Sequence, residues 1–460
     1  MTGPEHVTRD APRSAGPVVH VDGDDLRERR SQNDAVTVLT GYVVLLFAIP
    51  SRLTIGSLGG FGTPAALVGV STAILWAVIA LMGTRSAARL VHPVRRAGMI
   101  LALTMVASYV GNAMRPSVAQ EWGAALLPMA TALSWFAVFF FTADLVPSMT
   151  RLQTLVRRLA VAGGIEGALA VLQFVTSNPL TQYLDIPGLS ANAALTAIGD
   201  RNGLNRPSGT AIHAIEFGVS VVALLPFALH SALHRMDLGV VRRWWPVAVI
   251  AVGALLSMSR SSIVCAVVVF AVLLPTWPRI RRWTVATLAV AGTVAVGFAV
   301  PGLFSSISGL FFGIEQDTSA RSRTDSYGIA FEFIDRSPVL GRGFGSFLPR
   351  YRIFDNAYLL FTVEVGLVGL AALLGFFVTA AVSSLVARRQ LRPDDVGMRD
   401  LGAAIAASMS SITFGFALFD ALSFPMYAGL VFLIAGLAGA YYRVVKAPAS
   451  RPGAESALAS

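Results

Sequence analysis

The sequence predicts an all-α polytopic membrane protein with about twelve transmembrane helices, and three observations lead to this fold class. Hydrophobic residues make up 55% of the 460 residues, whereas charged residues make up only 13%. The mean hydropathy of +0.66 is too apolar for a soluble domain. Arginines also interrupt the apolar runs as membrane topology requires, so the net charge of +10 does not indicate nucleic-acid binding.

Twelve apolar runs define the predicted spans. They cover residues 35–50, 65–82, 98–114, 123–146, 159–176, 211–229, 245–258, 263–274, 285–300, 358–386, 401–419 and 424–442. A large extracytoplasmic loop is predicted between spans nine and ten. Within it, Tyr327, Phe331 and Ile334 follow a helical i, i+4, i+7 pattern, which predicts an amphipathic helix on the membrane surface. Pro338 and the glycines after it end that helix.

The distribution of basic residues predicts the orientation of the spans. Twelve spans place both termini on one side, and that side then carries twenty-five basic residues against eleven on the other. Because cytoplasmic loops are enriched in arginine and lysine, both termini are expected in the cytoplasm. Nine of the eleven outward arginines lie in three segments. These are Arg201 and Arg206; Arg260; and Arg321, Arg323, Arg336, Arg342, Arg350 and Arg352.

The outward arginines depart from the enrichment of basic residues on the cytoplasmic side, so membrane topology does not explain them. A guanidinium keeps its charge and presents a fixed fork of donors, which suits a phosphate or diphosphate on a lipid. Contact with lipid headgroups alone is the other explanation. Arg260 favours a ligand, because it stands at the tip of a two-helix hairpin beside Ser259, Ser261 and Ser262.

Other site classes find little support in the sequence. No GxxxxGK[ST] phosphate loop is present, and the glycines of GRGFGSF follow no predicted strand. The sequence has one cysteine, Cys265, and no paired histidine and cysteine ligands, so we expect neither a metal site nor a cofactor. Ionisable residues within or beside the spans are either functional or engaged in interhelical hydrogen bonds. They are Glu166, His213, Glu216, Glu364 and Asp420.

An ordered series of motifs between residues 200 and 372 is more specific. The motifs are RPSGTAIHAIEFG, MSRSS, a segment opening with Arg321, GRGFGSF and DNAYLLFTVEVGLVGL. In this order they resemble the O-antigen ligase and O-antigen polymerase family of bacterial envelope glycosyltransferases. The resemblance implies transfer of a glycan from a polyprenyl-diphosphate carrier to an acceptor hydroxyl on the outer face of the plasma membrane, without a nucleotide sugar or a required metal.

The resemblance also implies site residues. Arg206, Arg260 and Arg321 match the diphosphate-handling arginines of the family. Many members have His-Asn before the Tyr-Leu pair, whereas this chain has Asp355-Asn356. Many members also have His-Pro-Asn after RPSG, whereas here His213 precedes Ala-Ile-Glu. The motifs are shared by ligases and polymerases, so both activities stay open.

We therefore predict a catalytic set of Asp355, Arg260 and Arg321. The arginines stabilise the departing diphosphate, while Asp355 accepts the proton of the attacking hydroxyl. An alternative is a structural salt bridge between Asp355 and the arginines next to it in sequence. The predicted substrate-binding residues are Arg206, His213, Glu216, Ser261, Arg323, Arg350, Arg352, Asn356 and Tyr358.

Two other activities compete with this interpretation. A twelve-span proton-coupled transporter would use Glu166, Glu216 and Glu364, although the two halves show no matching broken-helix pattern. Glycosyltransferases that use lipid-phosphate sugars place an acidic pair in the first outer loop, whereas the corresponding SRLTIGSLGGFGTP contains no carboxylate.

The predicted organisation has three parts. Residues 1–34 form a disordered cytoplasmic tail, residues 35–443 a transmembrane glycosyltransferase domain with outer loops 177–210 and 301–357, and residues 444–460 a second cytoplasmic tail. The expected partners are a polyprenyl-diphosphate-linked glycan donor, a glycan or lipid-glycan acceptor and the bilayer. The expected location is the bacterial plasma membrane, with an outward-facing active site.

Overall fold

The computed structural model describes residues 34–82, 92–114, 119–192, 199–201, 203–312 and 318–446. The two predicted tails therefore lie almost entirely outside the described residues. The side chains of residues 310–325 also lie outside them, and these include the predicted site residues Arg321 and Arg323.

The described part of the chain is mostly helical. Its α-helices are α1 Ala35–Ala48, α2 Pro64–Leu81, α3 Pro93–Ala113, α4 Ala119–Leu145, α5 Met149–Thr176, α6 Ala214–His234, α7 Val240–Leu256, α8 Arg260–Leu273, α9 Arg279–Ala299, α10 Leu303–Phe312, α11 Thr318–Arg336, α12 Ala357–Gln390, α13 Val396–Gly415 and α14 Pro425–Lys446. Short 3-10 segments lie at Gly56–Gly62, Thr181–Tyr183, Leu274–Thr276 and Ala421–Ser423.

Two small antiparallel strand pairs lie in the long connections. Strand β1 (Leu53–Thr54) pairs with β2 (Ser190–Ala191), with Leu53 opposite Ala191. Strand β3 (Gly199–Arg201) pairs with β4 (Leu204–Arg206), with Gly199 opposite Arg206. The first pair joins the α1–α2 connection to the α5–α6 connection. We call this end of the bundle the loop end.

Each of the twelve predicted spans coincides with a helix in the described residues. By length and composition, six of these helices can cross a membrane, or seven if the segment Gly56–Gly62 and the helix after it, which meet at 68°, count as one span. An all-α membrane protein is thus confirmed, while the number of twelve spans stays a prediction. Helix α5 begins at Met149, ten residues before the predicted start of span five at residue 159. Ser148 caps this helix at Arg151, and Arg151 pairs with Asp34 at 2.6 Å.

The centre of the bundle consists of α6, α13 and α14, whose residues are mostly buried. Helix α14 packs along α4 and α12, and α6 packs against α5, α7 and α13. Small residues permit these close approaches. A Cβ atom on Gly167 of α5 would lie 2.5 Å from the carbonyl oxygen of Val249 in α7, so only glycine fits there.

A break in α12 is filled by the loop that precedes this helix. Gly366 has φ 78° and ψ −178°, which interrupts the helix and leaves backbone groups on both sides without helical partners. The N–H groups of Arg342 and Gly343 donate to the carbonyl oxygens of Val363 and Glu364 at 3.0 and 2.8 Å. The N–H of Leu367 donates to the carbonyl of Pro338 at 2.8 Å. The loop therefore satisfies the broken helix from inside the bundle.

Helix α11 is the helix expected in the large loop. Its C-terminal half packs on the same loop and on α12, because Ala330 and Ile334 are buried in a cluster with Phe347, Phe354 and Val363. Tyr327 and Phe331, which share the predicted apolar stripe with Ile334, remain 45% and 57% exposed. The stripe is thus covered by protein at one end and open at the other.

Candidate functional site

Arg206 and the α7–α8 hairpin meet at the loop end. Strand β4 ends at Arg206, whose Nε donates to the carbonyl oxygen of Ser257 at 3.0 Å. The hairpin then turns through Met258, which has φ 45°, into α8, and Arg260 is the first residue of that helix. Arg206 and Arg260 are both half-buried. The structure thus brings together two predicted diphosphate-handling arginines that are 54 positions apart in the sequence.

The serines of this hairpin are buried beneath it. Ser261 is 4% exposed and Ser262 is 1% exposed. The hydroxyl groups of Ser257 and Ser262 lie 3.3 Å apart, and a Cβ on Gly218 of α6 would lie 2.1 Å from the Ser262 hydroxyl. These contacts lock the hairpin against the first turns of α6. Ser261 itself is buried in the first turn of α8, next to Arg260.

His213 lies immediately before α6 on the same end of the bundle. Its Nδ1 accepts a hydrogen bond from the Ile215 N–H at 3.1 Å, which caps the helix. Its ring centroid lies 6.4 Å from that of Phe424, which precedes α14. Surrounding protein atoms desolvate the ring, and the charge of Arg206 acts on it as well, so the pKa of His213 lies below its ordinary value. The lowered pKa favours the neutral form of the imidazole near Arg206.

Asp355 and Asn356 stand at the start of α12. Asn356 caps this helix, because its Oδ1 accepts from the N–H groups of Tyr358 and Leu359 at 3.0 and 3.2 Å. The N–H of Ala357 donates to the carbonyl oxygens of Phe416 and Phe419 in the α13–α14 connection. Asp355 is half-buried and is held beside that connection.

Asp420 lies in the same connection and interacts electrostatically with Asp355. One of its carboxylate oxygens accepts from the hydroxyl of Ser423, while the other, Oδ1, is buried without a hydrogen-bond partner among the described residues. Burial, and in addition the charge of Asp355, raises the pKa of Asp420 to about 6, against the opposing effect of the Ser423 hydrogen bond. Two carboxyl groups that are 65 positions apart thus interact electrostatically at the loop end.

Helix α13 links the two parts of the site. The Cys265 thiol of α8 donates to the Ser411 carbonyl at 3.4 Å, and the Tyr358 hydroxyl of α12 donates to the Thr413 carbonyl at 2.6 Å. Both acceptors lie in the last turns of α13. The helix starts that carry Arg260 and Asp355 therefore pack on the same segment.

Other predicted binding residues have structural partners. Glu216 is fully buried, and its carboxylate accepts from the backbone N–H groups of Ile212 and Met426, both at 2.8 Å. It thereby joins the starts of α6 and α14. In this structure Glu216 is a buried carboxylate that supports the site from within, because its two oxygens accept from backbone N–H groups.

Arg350 and Arg352 lie in the connection between α11 and α12. The guanidinium of Arg350 lies 5.1 Å from the Tyr351 ring centroid and donates to the Tyr351 hydroxyl at 3.1 Å. Arg352 Nε donates to the Ser326 hydroxyl at 3.0 Å, which ties this connection to α11. These two side chains thus have partners in the large loop itself. Arg321 also belongs to α11, but its side chain is outside the described residues.

Sequence reasoning missed the carboxylate that holds this loop. Glu121, at the start of α4, is 4% exposed, and it accepts from Arg342 at 3.0 Å and from the Tyr351 hydroxyl at 2.7 Å. The guanidinium of Arg342 also lies 5.0 Å from the Phe333 ring centroid of α11. A signal existed in the sequence, because Glu121 is the one acid in the predicted link between spans three and four.

Two further buried glutamates fix backbone. Glu166 of α5 accepts from the N–H and hydroxyl of Thr210 at 3.1 and 2.7 Å. Glu364 of α12 accepts from the N–H of Phe347 at 3.3 Å. The residues that a proton-coupled transporter would need are therefore anchors of the loops at the loop end. Among the described residues, no group of three or more His, Cys, Asp or Glu side chains is placed to hold a metal ion.

A comparison with known protein families gives a match to the same part of the chain. The family described as O-antigen ligase matches residues 245–374, which confirms the resemblance recognised in the motifs. The matched segment contains the α7–α8 hairpin, α11, the loop of Arg342 and the first half of α12. No curated protein matches the chain significantly. The apolar helices and the family together indicate a multi-pass membrane protein of glycan biosynthesis.

Proposed function

We propose, from the O-antigen ligase match over residues 245–374, that this protein transfers a glycan from a polyprenyl-diphosphate carrier to a sugar hydroxyl at the outer face of the plasma membrane. The observation that carries the proposal is the meeting of Arg206 with the Arg260 hairpin at the end of the bundle where Asp355 also lies. Cations and a carboxylate at one membrane-embedded end suit a charged leaving group and a hydroxyl nucleophile.

In the proposed donor site, Arg206 and Arg260 bind the diphosphate. A guanidinium suits this task because its donors match two phosphate oxygens at once and its charge persists when partly dehydrated. The pKa of His213 is lowered by burial and by Arg206, which favours its neutral form and leaves the positive charge to the arginines. Arg321 of α11 joins them in the proposal on the strength of the family motif alone. The polyprenyl chain then extends into the bilayer beside the bundle.

In the proposed reaction, Asp355 accepts the proton of the acceptor hydroxyl. The hydroxyl oxygen forms the new bond to the anomeric carbon as the bond from that carbon to the diphosphate breaks. The electron pair of the broken bond stays on the diphosphate, where the arginines stabilise it. A single displacement of this kind inverts the configuration at the anomeric carbon. Guanidinium groups supply the positive charge, so we expect activity to persist in a chelator.

Substitution of Arg260 tests the donor site. Arg260→Lys keeps the charge but removes the fork, so with purified protein and a lipid-linked donor we expect the rate to fall by roughly 10- to 100-fold. Arg242→Lys, an exposed residue at the opposite end of α7, is the matched control and should retain wild-type activity. Wild-type turnover in Arg260→Lys would remove Arg260 from the donor site.

A deletion strain distinguishes the two activities that the motifs share. Loss of a polymerase should leave a surface glycan of one repeat unit. Loss of a ligase should instead make full-length chains accumulate on the lipid carrier. If the envelope glycans and their lipid-linked precursors are unchanged after deletion, the proposed function is wrong.

A further inference from the structure

A groove between α1 and α5 has no part in the proposed reaction. Its volume is about 540 Å³. The apolar part of its lining includes Val43, Val44, Phe47, Val161 and Ile165. Arg157, Arg158 and Arg235 also line it. The groove therefore combines a hydrocarbon-like wall with three cationic side chains.

The cationic end of the groove lies far from the arginines of the proposed active site. Arg157 and Arg158 are in the first half of α5, and the connection that carries Arg206 begins after Thr176 at the other end of this helix. At 1.5 Å per residue, Arg158 and Thr176 are separated by roughly 27 Å along the helix. The cationic end of the groove is therefore at a different membrane depth from the donor site.

The charges at the groove leave an excess of positive charge. Arg235 pairs with Asp237 at 2.6 Å. Arg158 donates to the hydroxyl group of Thr40, and because this group is neutral, it does not offset the charge of Arg158. The charge of Arg157 interacts with those of Arg235 and Asp237. Counting these four charged groups, three guanidiniums face one carboxylate. Asp34, at the start of α1, is already paired with Arg151.

The walls beside these charges face outward from the bundle. Val44 is 55% exposed, Val161 is 44% exposed and Ile165 is 59% exposed. Apolar side chains exposed on a membrane-embedded helix are contacts for acyl chains. Basic side chains at the end of such a helix attract anionic headgroups. An amphipathic ligand with a phosphate and a hydrocarbon chain satisfies both parts of the groove.

We propose that this groove is a binding site for an anionic phospholipid. The phosphate lies against Arg157, Arg158 and Arg235, and one acyl chain lies along Val44, Val161 and Ile165. The inference depends on the protein residing in a bilayer and not on the glycan-transfer reaction. Binding would hold α1 against α5 at the end of the bundle opposite the proposed active site.

The test measures lipid binding to purified full-length protein. Native mass spectrometry and thermal shift should show retention of, and stabilisation by, phosphatidylglycerol in preference to phosphatidylcholine. In the double variant Arg157→Gln and Arg158→Gln, we expect the affinity for phosphatidylglycerol to fall roughly 10- to 100-fold, because charge-assisted hydrogen bonds to the phosphate are lost. Arg242→Gln is the control for charge removal outside the groove and should bind like wild type.

A second variant keeps every charge and fills the groove. Val161→Trp places a large ring against the proposed acyl chain, so it should also weaken phosphatidylglycerol binding while activity with the lipid-linked donor is preserved. Equal affinity in wild type, Val161→Trp and the double arginine variant would overturn the proposal. Equal stabilisation by inorganic phosphate would identify a simple anion site instead. Displacement of phosphatidylglycerol by undecaprenyl phosphate would assign the groove to the polyprenyl carrier. Either of these results would also refute the phospholipid site.

Discussion

The buried carboxyl group of Asp420 permits a quantitative prediction on stability. Burial of Asp420, with a smaller contribution from the charge of Asp355, raises its pKa from 3.8 to about 6. Each pKa unit corresponds to about 1.4 kcal/mol, so an ionised Asp420 destabilises the folded protein by about 3 kcal/mol at neutral pH. Removing the charge while keeping the shape, as in Asp420→Asn, should therefore stabilise the protein at pH 7 by up to that amount.

The sign of the pH dependence follows from the same values. Between pH 4 and pH 6 the folded protein holds a proton on Asp420 that the unfolded chain has released. The contribution of Asp420 to stability therefore becomes less favourable as the pH rises through this range and is constant above it. The stability of the Asp420→Asn variant should lack this pH-dependent contribution. Asp355 and Glu364 interact electrostatically with Asp420, and the His213 ring lies beside Phe424 in the same connection, so the comparison is made as the difference between variant and wild type.

The assay measures the apparent melting temperatures of wild type and Asp420→Asn in detergent, at a fixed heating rate and from pH 4 to pH 8. The two proteins should have similar stability near pH 4 and diverge up to about pH 6, with the variant more stable. Asp355→Asn should show the same trend with a smaller amplitude, because burial and not the neighbouring charge is the main cause. Ser423→Ala keeps both carboxylates and should lower stability by about 1 kcal/mol, since Asp420 loses a hydrogen bond. A variant Asp420→Asn that is less stable than wild type at pH 7 would refute the reasoning.

Three further predictions concern the reaction, the break in α12 and the orientation. Asp355→Asn should lower the rate by roughly 10²- to 10⁴-fold if Asp355 is the base, and Asp355→His should restore part of it with an inflection near the ordinary imidazole pKa of about 6.5. Gly366→Ala should destabilise the fold by about 1 to 3 kcal/mol or more in thermal unfolding, because φ is 78° and a Cβ would lie 2.2 Å from the Val339 carbonyl oxygen. A cysteine in place of the exposed Ser308 should react with an impermeant thiol reagent on intact cells, whereas one in place of Met236 should react only after lysis.

Each of these three predictions has a control variant or an outcome that would contradict it. Full activity of Asp355→Asn, or no rescue by histidine, would leave a structural ion pair as the better account of Asp355. Gly375→Ala in the same helix meets no atom within 4 Å and should be neutral or slightly stabilising, so equal destabilisation by both glycine variants would contradict the close-contact argument. Cys265 is fully buried and should contribute little background labelling. Labelling of the Met236 position from outside would reverse the proposed orientation.

Local sequence identifies some residues of the candidate site, whereas the roles of others depend on contacts between distant segments. Arg206 and Arg260 were identified because their charges contradict the positive-inside rule, which is a local property of a loop. The sequence shows the motif GRGFGSF around Arg342, but it does not show the structural role of this motif. Its backbone fills the break at Gly366, and this requires two segments more than 20 positions apart to be in contact. Glycine spacing alone carries no information about the partner of the loop.

The sequence by itself determined the helices, because the cost of exposing polar backbone in a bilayer imposes long apolar runs, and the arginines mark where those runs end. Tertiary structure decided what each buried charge does. Glu216 and Glu364 are equally compatible with proton transfer or capping when considered in isolation, and only the backbone N–H groups of Met426 and Phe347 distinguish the two. The electrostatic interaction between Asp355 and Asp420 likewise depends on how α12 packs against the α13–α14 connection. Such contacts depend on helix packing between distant segments, which apolar periodicity does not encode.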